Sequence, residues 1–401
     1  MASEAERASA ELAPTLPRVP LYNNPKIRSA AWQVGLLAAL VWFGYEFALN
    51  AKANLDAQRI ASGVGFLGNT AGFGVNQSLI AYSETDSYGR VFLVGLLNTL
   101  LVSGLGIVFA TILGFVVGIS RLSPNWLLAR LAGGYVELIR NLPLLFQILF
   151  WYLAVLGTLP GPRQSISIFG EVFVSNRGII LPAPVFGPGS GYVVAVFALG
   201  LLATFALARW ARRRQEATGV QFPVLRVGAA LVVGLPLLAL VVTGFPIGFE
   251  KPELRGFNFV GGLRLIPEFV ALLVALSTYT AAFIAEVVRA GILAVSRGQT
   301  EAALALGFRR ALVLRLIVVP QALRVIVPPL TNQYLNLTKN SSLAVAIGYP
   351  ELVAVFAGTT LNQTGQAIEI IGITMAVYLS ISLITSLLMN FYNARIRLTE
   401  R

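Results

Sequence analysis

The stretch Gln299-Thr300-Glu301-Ala302-Ala303-Leu304-Ala305-Leu306-Gly307, followed after nine residues by Ile317-Val318-Val319-Pro320, lies between two long apolar segments. Those segments, about Ile266–Leu293 and Ile326–Gly348, each exceed the roughly 20 residues that a helix needs to cross a bilayer. The Ala and Leu residues between them favour helix, and Gly307 can adopt the left-handed turn that ends one. The pattern therefore predicts two membrane-spanning helices joined by a short helical loop.

The composition extends this interpretation to the whole chain. Of its 401 residues, 56% are hydrophobic and only 12% are charged, and the mean hydropathy is +0.75. Soluble globular proteins carry about 25% charged residues, because water must solvate their surface. Most of this surface must therefore face lipid, and we expect an all-α polytopic membrane protein.

The apolar pattern divides the chain into about eight transmembrane helices. Their approximate bounds are Ala30–Leu49, Val91–Ser120, Leu138–Leu159, Gly191–Ala208, Val227–Phe245, Ile266–Leu293, Ile326–Gly348 and Ile368–Phe391. The stretches Asn50–Arg90 and Pro160–Ser190 are rich in Gly, Pro, Ser and Asn and are predicted to be loops. Cleavage of the first span as a signal peptide near Ala51-Lys52-Ala53 is an alternative. Because that span starts late and is long, a retained anchor is preferred.

Topology accounts for the net charge of +12, which arises from 30 Lys and Arg against 18 Asp and Glu. Cytoplasmic loops of membrane proteins carry an excess of Lys and Arg. With the N-terminus in the cytoplasm and eight spans, most of the basic residues fall on the cytoplasmic side, among them the Arg-rich linker 208–226. Both termini are therefore predicted to be cytoplasmic, and no nucleic-acid partner is expected.

The residue types that the sequence lacks exclude most kinds of catalysis and metal binding. The chain has 0 Cys and 0 His, which removes thiolate nucleophiles and the commonest general base and metal ligand. It also lacks a Gly-x-x-x-x-Gly-Lys-Ser/Thr phosphate loop. We therefore predict no catalytic residue, no metal site and no bound cofactor, so that any ATP and Mg would be used by a partner.

The loop at residues 296–320 resembles the signature of permease subunits in type I bacterial ABC importers. The matching residues are Glu301, Ala302, Ala303, Gly307, Ile317 and Pro320. Val319 departs conservatively from that pattern, in which Leu commonly precedes Pro. In the family this loop docks into a groove of the cytoplasmic ATPase, so the resemblance implies an ATPase-coupling loop and an ABC ATPase dimer as partner. If the resemblance is set aside, the segment is interpreted as a basic amphipathic helix on the membrane surface.

Further motifs are similar to the polar amino acid (histidine/glutamine-type) family. They are Arg90–Leu100, Tyr135–Gln147, Tyr279–Gly291 and Pro320–Pro329. Phe66–Phe73, Asp86–Arg90 and the region 160–264 resemble the Q-type permease of general L-amino-acid transport systems. This resemblance implies a carrier of broad-range or polar L-amino acids in the bacterial inner membrane. It also implies a second related permease and a periplasmic amino-acid-binding protein as partners.

The resemblance divides the chain into four regions. They are a cytoplasmic tail (1–28), a first transmembrane helix with a periplasmic loop (29–90), a transmembrane permease domain (91–395) and a second cytoplasmic tail (396–401). Within the permease domain, the resemblance implies an inserted helix pair at about 160–264 and the coupling loop at 296–320.

Polar residues within the apolar spans are candidates for function, because placing them in lipid is costly. Glu286 and Arg289 are three residues apart and are predicted to pair, as are Glu137 and Arg140. The candidates for lining a polar pathway are Asn98, Thr99, Tyr279, Thr280, Asn332, Asn336, Thr338 and Lys339. The alternative role for these residues is hydrogen bonding between helices.

Two other classes of protein stay open as alternatives. An ion-coupled carrier would show inverted repeats and buried carboxylate relays, and we find no convincing repeat and few carboxylates deep in the spans. A membrane-embedded enzyme would show clustered Asp or His, whereas Asp occurs only at Asp56 and Asp86.

Overall fold

The computed structural model describes residues 25–57 and 62–396. The chain separates into two units, Met1–Phe66 with Thr364–Glu369 and Leu67–Gln363 with Ile370–Arg401. The predicted tails lie largely outside the described residues. However, Pro25 to Arg28, assigned to the tail by the prediction, belong to a helix.

Helix α1, Pro25–Ala57, belongs to the first unit. Its large apolar side chains are exposed, for example Trp32 and Phe47, as expected for a helix that faces lipid. The helix continues past the predicted span end at Leu49, and the prediction that a loop begins at Asn50 is therefore wrong.

The remaining helices form a membrane bundle. They are α2 (Tyr88–Ser120), α3 (Trp126–Asn141), α4 (Leu144–Leu156), α5 (Ser190–Thr218), α6 (Val224–Val242), α7 (Pro267–Leu293), α8 (Arg297–Ala305), α9 (Arg310–Ile347), α10 (Val353–Thr360) and α11 (Ala367–Ile396). Within residues 25–57 and 62–396, 7 helices are long and apolar enough to cross a membrane, or up to 8 with the bent pair α3–α4. The predicted helical architecture with about eight spans is confirmed.

Helix α7 lies at the centre of the bundle. Over its most apolar window 56% of the residues are buried, against at most 28% for any other span of the described chain. Helix α2 packs against it closely, because a Cβ at Gly114 would lie 2.5 Å from Ile284 Cγ2 and one at Gly118 would lie 2.7 Å from the Ala285 carbonyl. Small residues commonly allow such close contacts between membrane helices.

The third predicted span, Leu138–Leu159, is not one straight helix. The chain enters it earlier, at Trp126, and α3 and α4 meet at an angle of 107°. The break falls at Leu142, whose extended backbone (φ −101°, ψ 131°) is the conformation that a following proline favours. Gln147 Nε2 donates to the carbonyls of Ile139 and Leu142 at 3.0 Å each, which satisfies backbone groups that the bend frees.

The inserted region contains the helices α5 and α6 and also strands that the sequence did not predict. The strands are β1 (Ile166–Ile168), β2 (Val172–Ser175), β3 (Gly178–Leu181), β4 (Ala183–Phe186), β5 (Ile247–Glu250), β6 (Glu253–Arg255), β7 (Asn258–Val260) and β8 (Leu263–Leu265). They pair antiparallel in the orders β1-β2-β3-β8, β4-β5 and β6-β7. The prediction of a plain loop over Pro160–Ser190 is therefore wrong. Strand β3 also pairs with β8, and β4 pairs with β5, both of which follow the helix pair, so local sequence gave no signal for these pairings.

Candidate functional site

The 296–320 loop forms two short helical pieces joined by a glycine turn. Helix α8 ends where Gly307 adopts a left-handed conformation, with φ +82°. The Phe308 N–H donates to the Ala303 carbonyl at 3.2 Å, and the Gly307 N–H donates to the Leu304 carbonyl at 2.9 Å. This pair of bonds is a Schellman motif, which ends a helix sharply. The chain then turns into α9, whose first residue is Arg310.

The residues that match the family signature divide between the inside and the outside of this loop. Ala303 is buried against Val313 and Val318, so it holds the two helical pieces together. Glu301, Ala302 and Gly307 are exposed, and Ile317 and Pro320 are half-buried. The exposed residues therefore remain free to contact another protein.

The outer surface of the loop is apolar with a basic rim. Leu306 is 78% exposed, and together with Phe308 and Leu312 it lines a shallow cavity of about 340 Å³. Exposed apolar patches with polar rims mark interaction sites. The neighbouring basic residues are Arg309, Arg310 and Arg315, which are exposed and make no ion pair with any residue that the structure describes.

A second cavity lies between parts of the loop and the end of α7. It measures about 450 Å³ and is lined by the end of α7 and by both helical pieces, including Ile292, Leu304 and Val313. Protein interiors are normally close-packed. A space of this size leaves the loop room to shift against α7.

One carboxylate connects three helices near this end of the bundle. Glu286 of α7 accepts hydrogen bonds from Arg121, at the end of α2, and from Arg289 at 2.6 Å. Arg140, near the end of α3, places Nη1 3.9 Å from the same carboxylate and its guanidinium 5.1 Å from the Phe283 ring centroid. The arrangement fixes the ends of α2 and α3 to α7, about ten residues before the loop begins.

The two predicted charge pairs have different outcomes. Glu286 and Arg289 pair as predicted. The Glu137–Arg140 pair is wrong, because Arg140 extends from the end of α3 towards α7, where Glu286 and the Phe283 ring lie. Among the described residues, Glu137 makes no ion pair.

Several predicted pathway residues are buried and bonded within the protein. Asn98 Nδ2 donates to the Gln77 and Pro350 carbonyls at 2.9 and 2.8 Å. Thr99 Oγ1 donates to the Gly95 carbonyl and accepts from the Leu352 N–H at 3.0 Å. These bonds favour the alternative role, in which both residues hold α2 to the segment before α10.

Three others of the set are packed too. Thr338 is buried and donates to the Tyr334 carbonyl at 3.0 Å. Thr280 is buried in α7, and the Tyr279 ring lies against Phe283 with 5.0 Å between centroids. Thr280 and Thr338 thus lie in the packed interior, and Tyr279 is half-buried.

Sequence reasoning missed Glu351, which is fully buried. Its carboxylate accepts hydrogen bonds from the Val353 and Ala354 N–H groups at 2.8 Å each and from the Tyr378 hydroxyl at 3.1 Å. It thus caps the start of α10 and connects it to α11. The signal was an acidic residue directly after Pro350 between two apolar runs, but it lay outside the predicted spans.

Lys339, a predicted pathway residue, lies at a cavity. Asn332, Asn336 and Lys339 are exposed and follow one another at four- and three-residue spacing, which places them on one face of α9. Lys339 and Tyr378 line a cavity of about 400 Å³ between α9 and α11. This face of α9 presents a cation and two amides, while the Tyr378 hydroxyl on the α11 side of the cavity donates to Glu351.

The class of this helical membrane bundle follows from its relatives. The family of the binding-protein-dependent transport system inner membrane component matches residues 219–398. The chain belongs to the permease family of amino-acid ABC transporters, because relatives of that class match almost its whole length. It is thus a multi-pass membrane transport subunit.

Three relatives carry this assignment. The putative amino-acid ABC transporter permease protein YhdX of Escherichia coli (strain K12) is 53% identical, over 95% of this chain and 97% of its own. The general L-amino acid transport system permease protein AapQ of Rhizobium johnstonii is 53% identical, over 94% of both chains. The glutamate/glutamine/aspartate/asparagine transport system permease protein BztB of Rhodobacter capsulatus is 45% identical, over 95% of this chain and 96% of its own.

A solved structure is a more distant match. The crystal structure of an amino acid ABC transporter with histidines has a TM-score of 0.46 and 21% identity, over 77% of this chain and 95% of that one. This likeness is too distant to support an argument about the site.

Proposed function

We propose that this chain is the permease subunit of an ATP-driven importer that carries L-amino acids, polar or of broad range, across the bacterial inner membrane. The observation that carries the proposal is the exposed apolar surface with a basic rim on the 296–320 loop, at the end of the buried central helix. The names of the three relatives support the substrate class.

The 296–320 loop is the coupling element in this proposal. An ABC ATPase dimer binds its outer surface through Glu301, Ala302 and the residues around Gly307, and ATP and Mg are bound there and not by this chain. Nucleotide-driven closure of the ATPases pushes the loop into the cavity beneath it and rocks the bundle between two states. Glu286 passes that movement to α2 and α3, because its hydrogen bond with Arg121 and its ion pair with Arg140 tie the two helices to α7.

Two further proteins complete the transporter. A second, related permease covers the exposed face of α9 with Asn332, Asn336 and Lys339, so that the solute passes between the two subunits. A periplasmic amino-acid-binding protein delivers the solute at the opposite end of the bundle. Both termini of this chain are cytoplasmic, which puts the loop on the ATPase side and agrees with the distribution of Lys and Arg.

Uptake by the purified complex in proteoliposomes tests this function. We expect entry of radiolabelled L-amino acids to require hydrolysable ATP on the loop side and the binding protein on the other, and to be unaffected by a protonophore. Uptake that continues without ATP and stops with a protonophore would instead support the ion-coupled carrier.

A further inference from the structure

A polar cavity lies at the end of the bundle opposite the 296–320 loop. It measures about 410 Å³ and surrounds the first turn of α7, which begins at Pro267. Its polar lining residues are Asn76, Tyr152, Asn176, Arg177, Arg264 and Glu268. We name it the α7 entrance cavity. The topology proposed above places it on the periplasmic side.

The four-stranded sheet β1-β2-β3-β8 supplies half of this lining. Strands β2 and β3 are joined by a tight turn in which Ser175 pairs with Gly178, and β3 places Ile180 opposite Arg264 of β8. Gly178 has φ +106°, and a Cβ there would lie 2.0 Å from the Leu265 carbonyl. Only glycine therefore allows this turn to approach β8 and bring Asn176 and Arg177 beside Arg264.

The charged groups of the cavity are incompletely paired. Glu268 is half-buried and accepts one hydrogen bond, from the Tyr152 hydroxyl at 3.0 Å. Its other oxygen accepts none from the residues that the structure describes. Arg264 likewise makes no ion pair or hydrogen bond through its side chain within the described chain, and Arg177 uses one nitrogen to donate to Asn258. Two guanidinium groups and a carboxylate thus face one cavity, and each has donor or acceptor atoms that bond to none of the described residues.

This combination of groups fits a small zwitterion. A guanidinium offers paired N–H donors that match a carboxylate, and the free Glu268 oxygen is an acceptor for an ammonium group. The side chains of Asn76 and Asn176 make no hydrogen bond with the described residues and can serve either group. A cavity of about 410 Å³ has room for a free amino acid.

We propose that the α7 entrance cavity is a reception site for free amino acids, in which Arg264 and Arg177 bind the α-carboxylate and Glu268 binds the α-ammonium. The site receives the solute after release from the binding protein and before it enters the bundle. This inference rests on the proposed function, since it names where that substrate is first held.

The test is equilibrium binding of radiolabelled L-glutamine to the purified permease–ATPase complex without the binding protein. Glu268→Gln and Arg264→Gln each remove one charge, the first with almost no change of shape, and each should weaken binding by about tenfold, as the loss of a charge-assisted hydrogen bond implies. The matched controls are Glu253→Gln and Arg255→Gln, an exposed pair in the same inserted region, which should leave binding unchanged.

A competitor separates binding from a merely structural role. Glutaramic acid is glutamine without its α-ammonium, and it should compete poorly with L-glutamine on the unaltered complex. Glu268→Gln should reduce that discrimination, because the group that recognises the ammonium is gone, whereas Arg264→Gln should not.

The outcomes also distinguish this inference from the proposed function. If ATP-driven uptake is normal but the unaltered complex binds no L-glutamine, or both cavity variants bind it unchanged, the reception site is wrong and the function stands. If the variants bind L-glutamine normally but lose the binding protein, the cavity is a docking surface and the inference is overturned. Absence of ATP-driven uptake by the unaltered complex would refute the function itself.

Discussion

At the scale of single residues, the main feature is a cluster of charged side chains around Glu286. One carboxylate lies within reach of three guanidinium groups, on Arg121, Arg140 and Arg289. These groups are only partly exposed, so the interactions are screened less than surface ion pairs. Removing the central charge leaves all three cations without an anionic partner among the described residues.

We expect Glu286→Gln to lower the free energy of unfolding by about 1–3 kcal/mol, the usual range for a lost hydrogen bond to a charged group, and to reduce uptake. Thermal unfolding in detergent and uptake per inserted molecule measure the two effects. Glu137→Gln is the matched control on α3, because Glu137 has no ion pair among the described residues, and it should change stability by less than about 0.5 kcal/mol. Equal effects of the two substitutions would contradict the role of Glu286.

The sequence indicates which polar residues matter more readily than it indicates which residue each of them contacts. Both Glu286 and Arg289 stood out in the sequence as charges in an apolar helix, and their pairing followed from helical spacing. That Arg140 would contact Glu286 and not Glu137 depends on how α3 lies against α7, which no local pattern encodes. Glu351 escaped notice because the chain places it between two spans and buries it only through tertiary packing.

At the scale of elements, the glycine turn at Gly307 shapes the coupling loop. Gly307→Pro should abolish uptake while the chain still inserts, since proline cannot adopt φ +82° and cannot donate the bond to Leu304. Gly307→Asn should retain most uptake, because asparagine tolerates the left-handed conformation. Uptake by whole cells, normalised to membrane-inserted protein, measures this. Normal uptake by the proline variant would contradict the coupling role of the loop.

The contact between α2 and α7 gives a second prediction for the elements. A Cβ at Gly118 would lie 2.7 Å from the Ala285 carbonyl and 2.8 Å from Val288 Cβ, whereas one at Gly104 meets nothing within 4 Å. Gly118→Ala should therefore destabilise the bundle by about 1–3 kcal/mol through overpacking, and Gly104→Ala should not. Thermal unfolding of both variants in the same detergent compares them, and equal Tm values would count against this contact.

The elements themselves were predictable to different degrees. Helix α7 and the later part of α9 follow from long apolar runs, and the turn between α8 and α9 follows from Gly307, but α9 begins at Arg310, before the predicted Ile326. The bend between α3 and α4 had a signal in Pro143, but the apolar run 138–159 concealed it. The strands could not be predicted, because β3 and β8 are separated in sequence by the helices α5 and α6 and each strand is only three or four residues long.

At the scale of the whole molecule, the two ends of α7 have different proposed roles. The α7 entrance cavity at one end presents unpaired charges that suit a solute. The coupling loop at the other end presents an apolar surface that suits a protein. The buried central helix joins them, so a push on the loop reaches the solute side through one rigid element.

Affinity purification of the tagged chain from its native membrane in mild detergent tests whether the 296–320 loop couples this chain to an ATPase. The account predicts that an ATPase with a phosphate loop and a second, related permease remain bound, and that Glu301→Lys reduces retention of the ATPase but not of the permease. If the unaltered chain is recovered alone in several gentle detergents, the coupling role of the 296–320 loop is contradicted.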